Sequence, residues 1–269
     1  MRIWVAVGVM GLLMAGCGTT YQASQPISPS PSPSSSPSPS PSSSPTVPGF
    51  PAVIVAAMNY LSGRTTVPLQ APTILPDQPS TPPYVSAVVR AQSDSYVVDL
   101  QLTTTALPVN SPLITSGVNS AISSFYASFG GQRFTSPSAA RAAVQGITCA
   151  PCASLTTGPT GSVVLGSGVT ALAYGTAGGS PALLRWVESG WSYEVYGDPT
   201  MTVQIAKQLV SYIQTQPLPA SQGGLSVDAA ADGLHTLMAW SKANLVYTAG
   251  AYHQYQIAVP LADGMRQYP

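Results

Sequence analysis

Charge is the scarcest property of this sequence. Its 269 residues include nine Lys and Arg against nine Asp and Glu, so charged side chains make up 7% of the chain, where ordinary soluble proteins carry about 25%. The formal net charge of zero argues against nucleic acid or an anionic membrane surface as an electrostatic partner. The exterior must be built from uncharged polar residues, and secretion into an acidic environment would favour such a surface.

Residues that carry catalysis are also scarce. His235 and His253 are the only histidines, and neither has a partner at the spacing of metal ligands. The chain lacks the Gly-x-Ser-x-Gly and Ser-x-x-Lys motifs of nucleophilic serines. Glu188 and Glu194 flank one hairpin at positions too generic to indicate an acid–base pair. The sequence therefore predicts a protein that is not an enzyme and that uses no cofactor or metal.

The first seventeen residues have the pattern of a bacterial lipoprotein signal. A short positive start, Met1-Arg2, precedes an apolar run over 3–14, which has the length of a signal-peptide core and is too short to span a membrane comfortably. It ends at Met14-Ala15-Gly16-Cys17, which resembles the lipobox that is cut before a lipidated cysteine. Residues 1–16 are thus predicted to be a signal peptide and Cys17 the lipidated residue. The alternative is an ordinary secretory signal with an incidental cysteine.

A Ser/Pro-rich stretch follows. Residues 28–45 are only Ser and Pro, so no apolar side chain can offset the entropy cost of folding. Proline favours extended polyproline II at about 3.1 Å per residue, so some 25 residues reach up to roughly 75 Å. Residues 17–48 are predicted to be a disordered stalk. It would hold the remaining chain outside the cell, on the outer face of the membrane, through the lipid anchor.

Residues 49–269 are predicted to form the folded domain, with 49–146 and 160–269 as candidate sub-units. Period-2 alternation and turn residues predict strands, whereas apolar residues three and four apart predict helices. The prolines of 67–76 exclude a central strand. The predicted elements are a helix over 52–61, a hairpin over 84–90 and 96–104, a helix over 118–129 stopped by Gly130-Gly131, a helix capped by Ser136-Pro137 and closed by Gly146, and strands over 162–165 and 169–174.

The last ninety residues contain an internal repeat. Trp186 and Tyr193 are seven residues apart, as are Trp240 and Tyr247. Each pair lies in two β-rich runs joined by a turn, and an apolar helical stripe follows each pair. We interpret this as two strand–turn–strand–helix units, each hairpin placing its aromatic face under its own helix, with Pro260 in the first turn of the second helix. The predicted fold is α+β, an antiparallel sheet with helices packed on one face.

Two residue sets are candidates for binding or redox chemistry. Cys149 and Cys152 are interpreted as a local disulfide clip, because their flanks read as loop and no basic neighbour lowers a thiol pKa. Redox activity, metal binding and a free pair remain alternatives. Trp186, Trp191 and Trp240 either line an aromatic surface that binds sugar or pack in the core under a helix.

Three short motifs resemble a broad group of uncharacterised envelope lipoproteins and anti-sigma-type extracytoplasmic domains of Gram-positive bacteria. They are the Ala71-Pro72-Thr73-Ile74-Leu75-Pro76 opening, the Phe129-Gly130-Gly131 break and the Leu184-Arg185-Trp186 hairpin with its helix. The resemblance implies an α+β fold outside the membrane and assigns no catalytic residues.

These observations together predict a lipid-anchored extracytoplasmic protein. It would bind a ligand, or a cell-wall or envelope-protein partner, or sense the state of the envelope. The alternatives are a thiol–disulfide protein using Cys149 and Cys152 and a structural component of the envelope.

Overall fold

A ten-stranded β-sheet forms the centre of the protein. The computed structural model describes residues 47–75, 82, 84–115, 123–148, 158–177, 179–230, 233–252 and 254–269. The helices of this part are α1 (Ala52–Leu61), α2 (Pro112–Thr115), α3 (Pro137–Thr148), α4 (Pro199–Ile213) and α5 (Tyr255–Asp263). The strands are β1 (Gln70–Pro72), β2 (Tyr84–Gln92), β3 (Ser95–Thr103), β4 (Ser123–Arg133), β5 (Gly161–Gly166), β6 (Val169–Ala177), β7 (Ser180–Glu188), β8 (Trp191–Gly197), β9 (Gly223–Ala230), β10 (Gly233–Lys242), β11 (Leu245–Tyr252) and β12 (Met265–Gln267).

The strand order of the sheet is β2-β3-β4-β11-β10-β9-β8-β7-β6-β5. Nine neighbouring pairs hold it together, and all are antiparallel except β8 and β9, which run parallel. Parallel neighbours need a crossover connection, and α4 supplies it. The junction of β8 and β9 therefore joins two antiparallel halves into one sheet.

Helices cover the two faces of the sheet unequally. Side chains alternate between faces along a strand, and one face contributes most of the apolar core under α1, α4 and α5. We call this the core face and the opposite one the outer face. Helix α3 packs on the outer face, where Ala140 and Val144 contact Ala239 and Val246. The prediction of an α+β fold built on a largely antiparallel sheet is confirmed, but α3 lies on the face opposite the other packed helices, whereas the prediction put the helices on one face.

The internal repeat is confirmed in both copies. Trp186 lies directly opposite Tyr193 in the β7–β8 hairpin, with ring centroids 5.1 Å apart and planes at 11°. Trp240 lies opposite Tyr247 in the β10–β11 hairpin, with centroids 6.3 Å apart. All four side chains belong to the core cluster, and α4 and α5 follow and pack on their own hairpins.

The predicted helix over 118–129 is wrong where the structure describes it, because residues 123–133 form β4. Gly130 and Gly131 lie inside this strand and do not end a helix. Gly131 sits in register between Tyr96 and Tyr247. A Cβ there would lie 2.8 Å from Tyr96 Cε1 and 3.1 Å from Tyr247 Cδ1, so the missing side chain makes room for two buried tyrosine rings.

Two helix boundaries also differ from the prediction. Ser136 caps α3 as predicted, since its Oγ accepts from the backbone N–H of Ala139 at 3.1 Å, but the helix continues past Gly146 to Thr148. Helix α5 begins at Tyr255, so Pro260 lies in its interior and not in its first turn. Its first residue, Tyr255, is buried and contacts Tyr212 of α4 with ring centroids 5.3 Å apart.

Segments near the two ends of the described chain pack against each other. Strand β1 pairs with β12 in a small separate sheet, which agrees with the exclusion of 67–76 from the central one. The ring of Phe50 meets that of Tyr268 edge-on at 5.2 Å, and the Tyr268 hydroxyl lies 3.1 Å from Asn59 Oδ1 of α1. We call these contacts the terminal clasp. Of the helices described, none is long and apolar enough to cross a membrane.

Candidate functional site

The three tryptophans singled out from the sequence are buried. Trp186, Trp191 and Trp240 are 5%, 2% and 5% exposed, so their rings pack in the core and do not form an exposed aromatic surface. Cys17, Cys149 and Cys152 lie outside the described residues. The lipidation and disulfide assignments therefore stay predictions.

A cavity lies where the β7–β8 turn meets the C-terminal end of α4. It encloses about 600 Å³, within the 300–1,000 Å³ typical of ligand pockets. We call it the hairpin-end cavity. Its lining residues are Glu188, Ser189, Trp191, Tyr193, Ile213, Gln214, Gln216, Leu218, Pro219, Ala220, Ser221 and Gln222.

Backbone geometry places Glu188 in this cavity. Ser189 and Gly190 both have positive φ, 51° and 82°, as a two-residue type I′ hairpin turn requires. The turn puts Glu188 directly opposite Trp191. Since alternate residues share a face, Glu188 lies on the core face with Trp186, at the end of the strand, and lines the cavity together with Ile213 of α4.

Two buried polar atoms in this lining have no hydrogen-bond partner among the described residues. They are Oε2 of Glu188 and Oγ of Ser221. Buried polar groups in native proteins are nearly always paired, and an unpaired one costs about 1–3 kcal/mol. Both atoms belong to the lining of one cavity, so a single bound molecule could satisfy both.

Aromatic residues form the inner wall of the cavity. Trp191 packs against Gly223, where a Cβ would lie 2.6 Å from two atoms of the indole ring. Tyr193 stacks on Trp186. Burial raises the pKa of Tyr193 above its ordinary value, and the charge of nearby Glu188 raises it further. The phenol therefore stays protonated and keeps its capacity to donate a hydrogen bond.

A second depression, the outer-face groove, lies between α3 and strands β6 to β8. It encloses about 810 Å³ and includes Leu172, Arg185, Val187 and Glu194. Arg185 Nε donates to Glu194 Oε1 at 2.7 Å. Burial raises the pKa of Glu194, and the charge and hydrogen bond of Arg185 oppose that rise. These charges already satisfy each other, so the hairpin-end cavity is the stronger candidate for a ligand.

Neither depression has a histidine among its described lining residues. His235 meets Tyr252 edge-on, with ring centroids 4.2 Å apart, and His253 lies outside the described residues. Within the described part of the chain, no group of three or more His, Cys, Asp or Glu side chains is placed to hold a metal ion.

Glu188 and Ser221 are not predicted as site residues by any sequence motif. A signal for Glu188 was present, because it continues the alternation of Leu184 and Trp186 and so puts a carboxylate on an apolar strand face. Ser221 gave no comparable signal. It reaches the cavity through the connection between α4 and β9, whose course depends on the tertiary fold.

Comparisons with protein-family models, with curated proteins and with solved structures find no match for this chain.

Proposed function

We propose that this chain is a lipid-anchored extracytoplasmic binding protein that holds a small ligand in the hairpin-end cavity and carries out no catalysis. The anchor part of the proposal is supported by the lipobox-like Met14-Ala15-Gly16-Cys17 and by the Ser/Pro stretch after it. The resemblance to envelope lipoproteins points the same way. The partners of the protein would be the membrane, through lipid on Cys17, and a molecule or protein of the cell wall or envelope.

One observation carries the binding part of the proposal. Glu188 Oε2 and Ser221 Oγ are buried, lack partners among the described residues and belong to the lining of one cavity. A ligand that supplies their hydrogen bonds would recover the free energy that their burial costs. The described lining offers one carboxylate and no histidine, cysteine or lysine, which favours binding over acid–base or nucleophilic chemistry. The thiol–disulfide alternative depends on Cys149 and Cys152 and stays a sequence hypothesis.

The anchor is tested by Cys17→Ala. Without the thiol that receives lipid, the protein should be released from the membrane or accumulate uncleaved. Fractionation of cells followed by mass spectrometry of the N-terminus measures both outcomes. A variant that is processed normally and remains with the membrane would contradict lipidation at Cys17.

Ligand binding is tested by obstructing the cavity mouth. Gln214 is exposed at the C-cap of α4 and belongs to the lining, so Gln214→Trp should place an indole across the opening. Ligand-observed NMR on the full chain in detergent would screen amino acids, polyamines, nucleosides and oligosaccharides. We expect saturable binding of at least one class, with an affinity that Gln214→Trp lowers about tenfold or more. A tenfold loss of affinity corresponds to about 1.4 kcal/mol of binding free energy.

The matched control is Gln208→Trp, the same exchange at an exposed position of α4 that does not belong to the lining. It should bind as the wild type does. No binding by any class, or equal binding by both variants, would remove the hairpin-end cavity as the site.

A further inference from the structure

We infer that the ligand of the hairpin-end cavity is a neutral, hydroxyl-rich molecule, a carbohydrate or related polyol, held by hydrogen bonds to Glu188 and Ser221. This inference rests on the proposed function, because it names the class of ligand for the same site.

The charge of the lining excludes an anionic ligand. Glu188 is its one carboxylate, and no Lys, Arg or His belongs to the lining among the described residues. An ionised carboxylate only accepts hydrogen bonds, so Glu188 Oε2 requires a donor. A phosphate or carboxylate would bring a second negative charge and no donor, and would be repelled at short range.

The aromatic rings exclude a cation held by ring faces. A cation–π contact requires an open ring face within about 6 Å. Trp191 and Tyr193 are each 2% exposed, so neither presents an open ring face to the cavity. An ammonium group would therefore have Glu188 as its one charged partner, and it could not serve as an acceptor for the donors around it.

The remaining polar groups match hydroxyls. Ser221 both donates and accepts hydrogen bonds, and the protonated Tyr193 does so as well. The amide side chains of Gln214, Gln216 and Gln222 each carry an acceptor oxygen and a donor nitrogen. A ligand hydroxyl also has both capacities, so neighbouring hydroxyls can pair with an amide, a serine and a carboxylate in turn. An ammonium group only donates hydrogen bonds and an ionised carboxylate only accepts them, so neither matches both capacities of the lining.

One wall of the cavity is apolar. Leu218 and Pro219 are half-buried in the connection after α4 and belong to the lining. A pyranose ring has a C–H face as well as hydroxyl edges, and these two side chains provide a surface for that face. The volume of about 600 Å³ lies within the range of pockets that enclose small organic molecules.

The test uses full-length protein in detergent with three neutral trisaccharides, maltotriose, cellotriose and N,N′,N″-triacetylchitotriose, and with spermidine and citrate as charged probes. Titration calorimetry measures each affinity for the wild type and three variants. Glu188→Gln keeps the shape and removes the charged acceptor, and Ser221→Ala removes the hydroxyl. Asp94→Asn is the matched control, a carboxylate-to-amide exchange in the exposed β2–β3 turn.

We expect at least one trisaccharide to bind, with affinity reduced about tenfold or more by Glu188→Gln and about fivefold by Ser221→Ala, as the loss of charged and neutral hydrogen bonds predicts. Asp94→Asn should leave affinity unchanged. Circular dichroism and thermal melting establish that each variant is folded.

Other outcomes overturn the inference in distinguishable ways. Binding of spermidine or citrate in place of the trisaccharides, with the same dependence on Glu188, would reject the ligand class and leave the proposed binding function standing. Trisaccharide binding that neither variant changes would place the sugar elsewhere and reject the assignment to this cavity. If no probe binds here and the wider NMR screen is also negative, both the inference and the proposed function fail.

Discussion

Trp186→Ala should lower the free energy of unfolding by about 3–5 kcal/mol, the range for large-to-small changes of a buried aromatic side chain. The indole is 5% exposed, stacks on Tyr193 and belongs to the core cluster beneath α4. Its removal would leave a cavity that the rigid sheet cannot close. Urea unfolding at equilibrium would measure the loss as a lower midpoint at an unchanged slope.

Trp186→Phe separates packing from hydrogen bonding at this position. The indole Nε1 is buried without a partner among the described residues, so replacing it gives up no hydrogen bond with them. Phenylalanine keeps an aromatic ring on Tyr193 and should cost less than half of the alanine loss. A loss below about 1 kcal/mol for Trp186→Ala would be too small for a core residue and would return Trp186 to the candidates for a binding surface.

Gly197→Ala should destabilise the fold by about 2–4 kcal/mol through two effects that add. Gly197 has φ of 113°, which costs a non-glycine residue of order 1–3 kcal/mol. A Cβ there would also lie 2.5 Å from the carbonyl oxygen of Ala229. Because the obstacle is the backbone of the parallel neighbour β9, rotation of a side chain cannot relieve it.

Gly166→Ala is the control that isolates the backbone effect. Gly166 has φ of 117°, nearly that of Gly197, and a Cβ there would meet nothing within 4 Å. Thermal or urea unfolding should therefore show a smaller loss for Gly166→Ala than for Gly197→Ala. Equal losses would mean that the close approach of β8 and β9 adds nothing to the requirement for glycine.

Local patterns predicted the two Trp–Tyr hairpins and the helix after each, but not β9 or β12. Trp186 and Tyr193 lie opposite each other because a two-residue turn fixes the register of a hairpin, and the apolar stripe of α4 repeats at helical spacing. The order of the strands in the sheet could not be predicted from local patterns. The parallel contact of β8 with β9 depends on α4 crossing over the sheet, which periodicity does not encode.

Strand β4 shows why a local pattern can indicate the wrong element. Phe125 and Phe129 are four residues apart, as on one face of a helix, and Gly130-Gly131 has the composition of a helix stop. The glycine has a tertiary cause. Gly131 is small because Tyr96 and Tyr247 flank it from neighbouring strands, and those tyrosines are more than thirty and one hundred residues away in sequence.

The candidate site was predictable only in part. The period-2 pattern of β7 puts Glu188 on the core face, and a carboxylate at such a position indicates a buried acceptor that needs a partner. Ser221 and the glutamines around it come together through the connection that follows α4. Their convergence depends on where that connection lies, which no local propensity determines.

The terminal clasp has a mechanical consequence for a tethered protein. In the proposed arrangement, tension on the stalk enters the folded domain at Val47 to Phe50, next to Tyr268. The load falls first on the Phe50–Tyr268 contact, on α1 and on the β1–β12 pair. The hairpin-end cavity is built on β7, β8, the end of α4 and the connection after it, and that connection also borders β1 and β12. We expect pulling on the anchor to strain the clasp first, so that the β1–β12 pair takes the load before the connection that lines the cavity does.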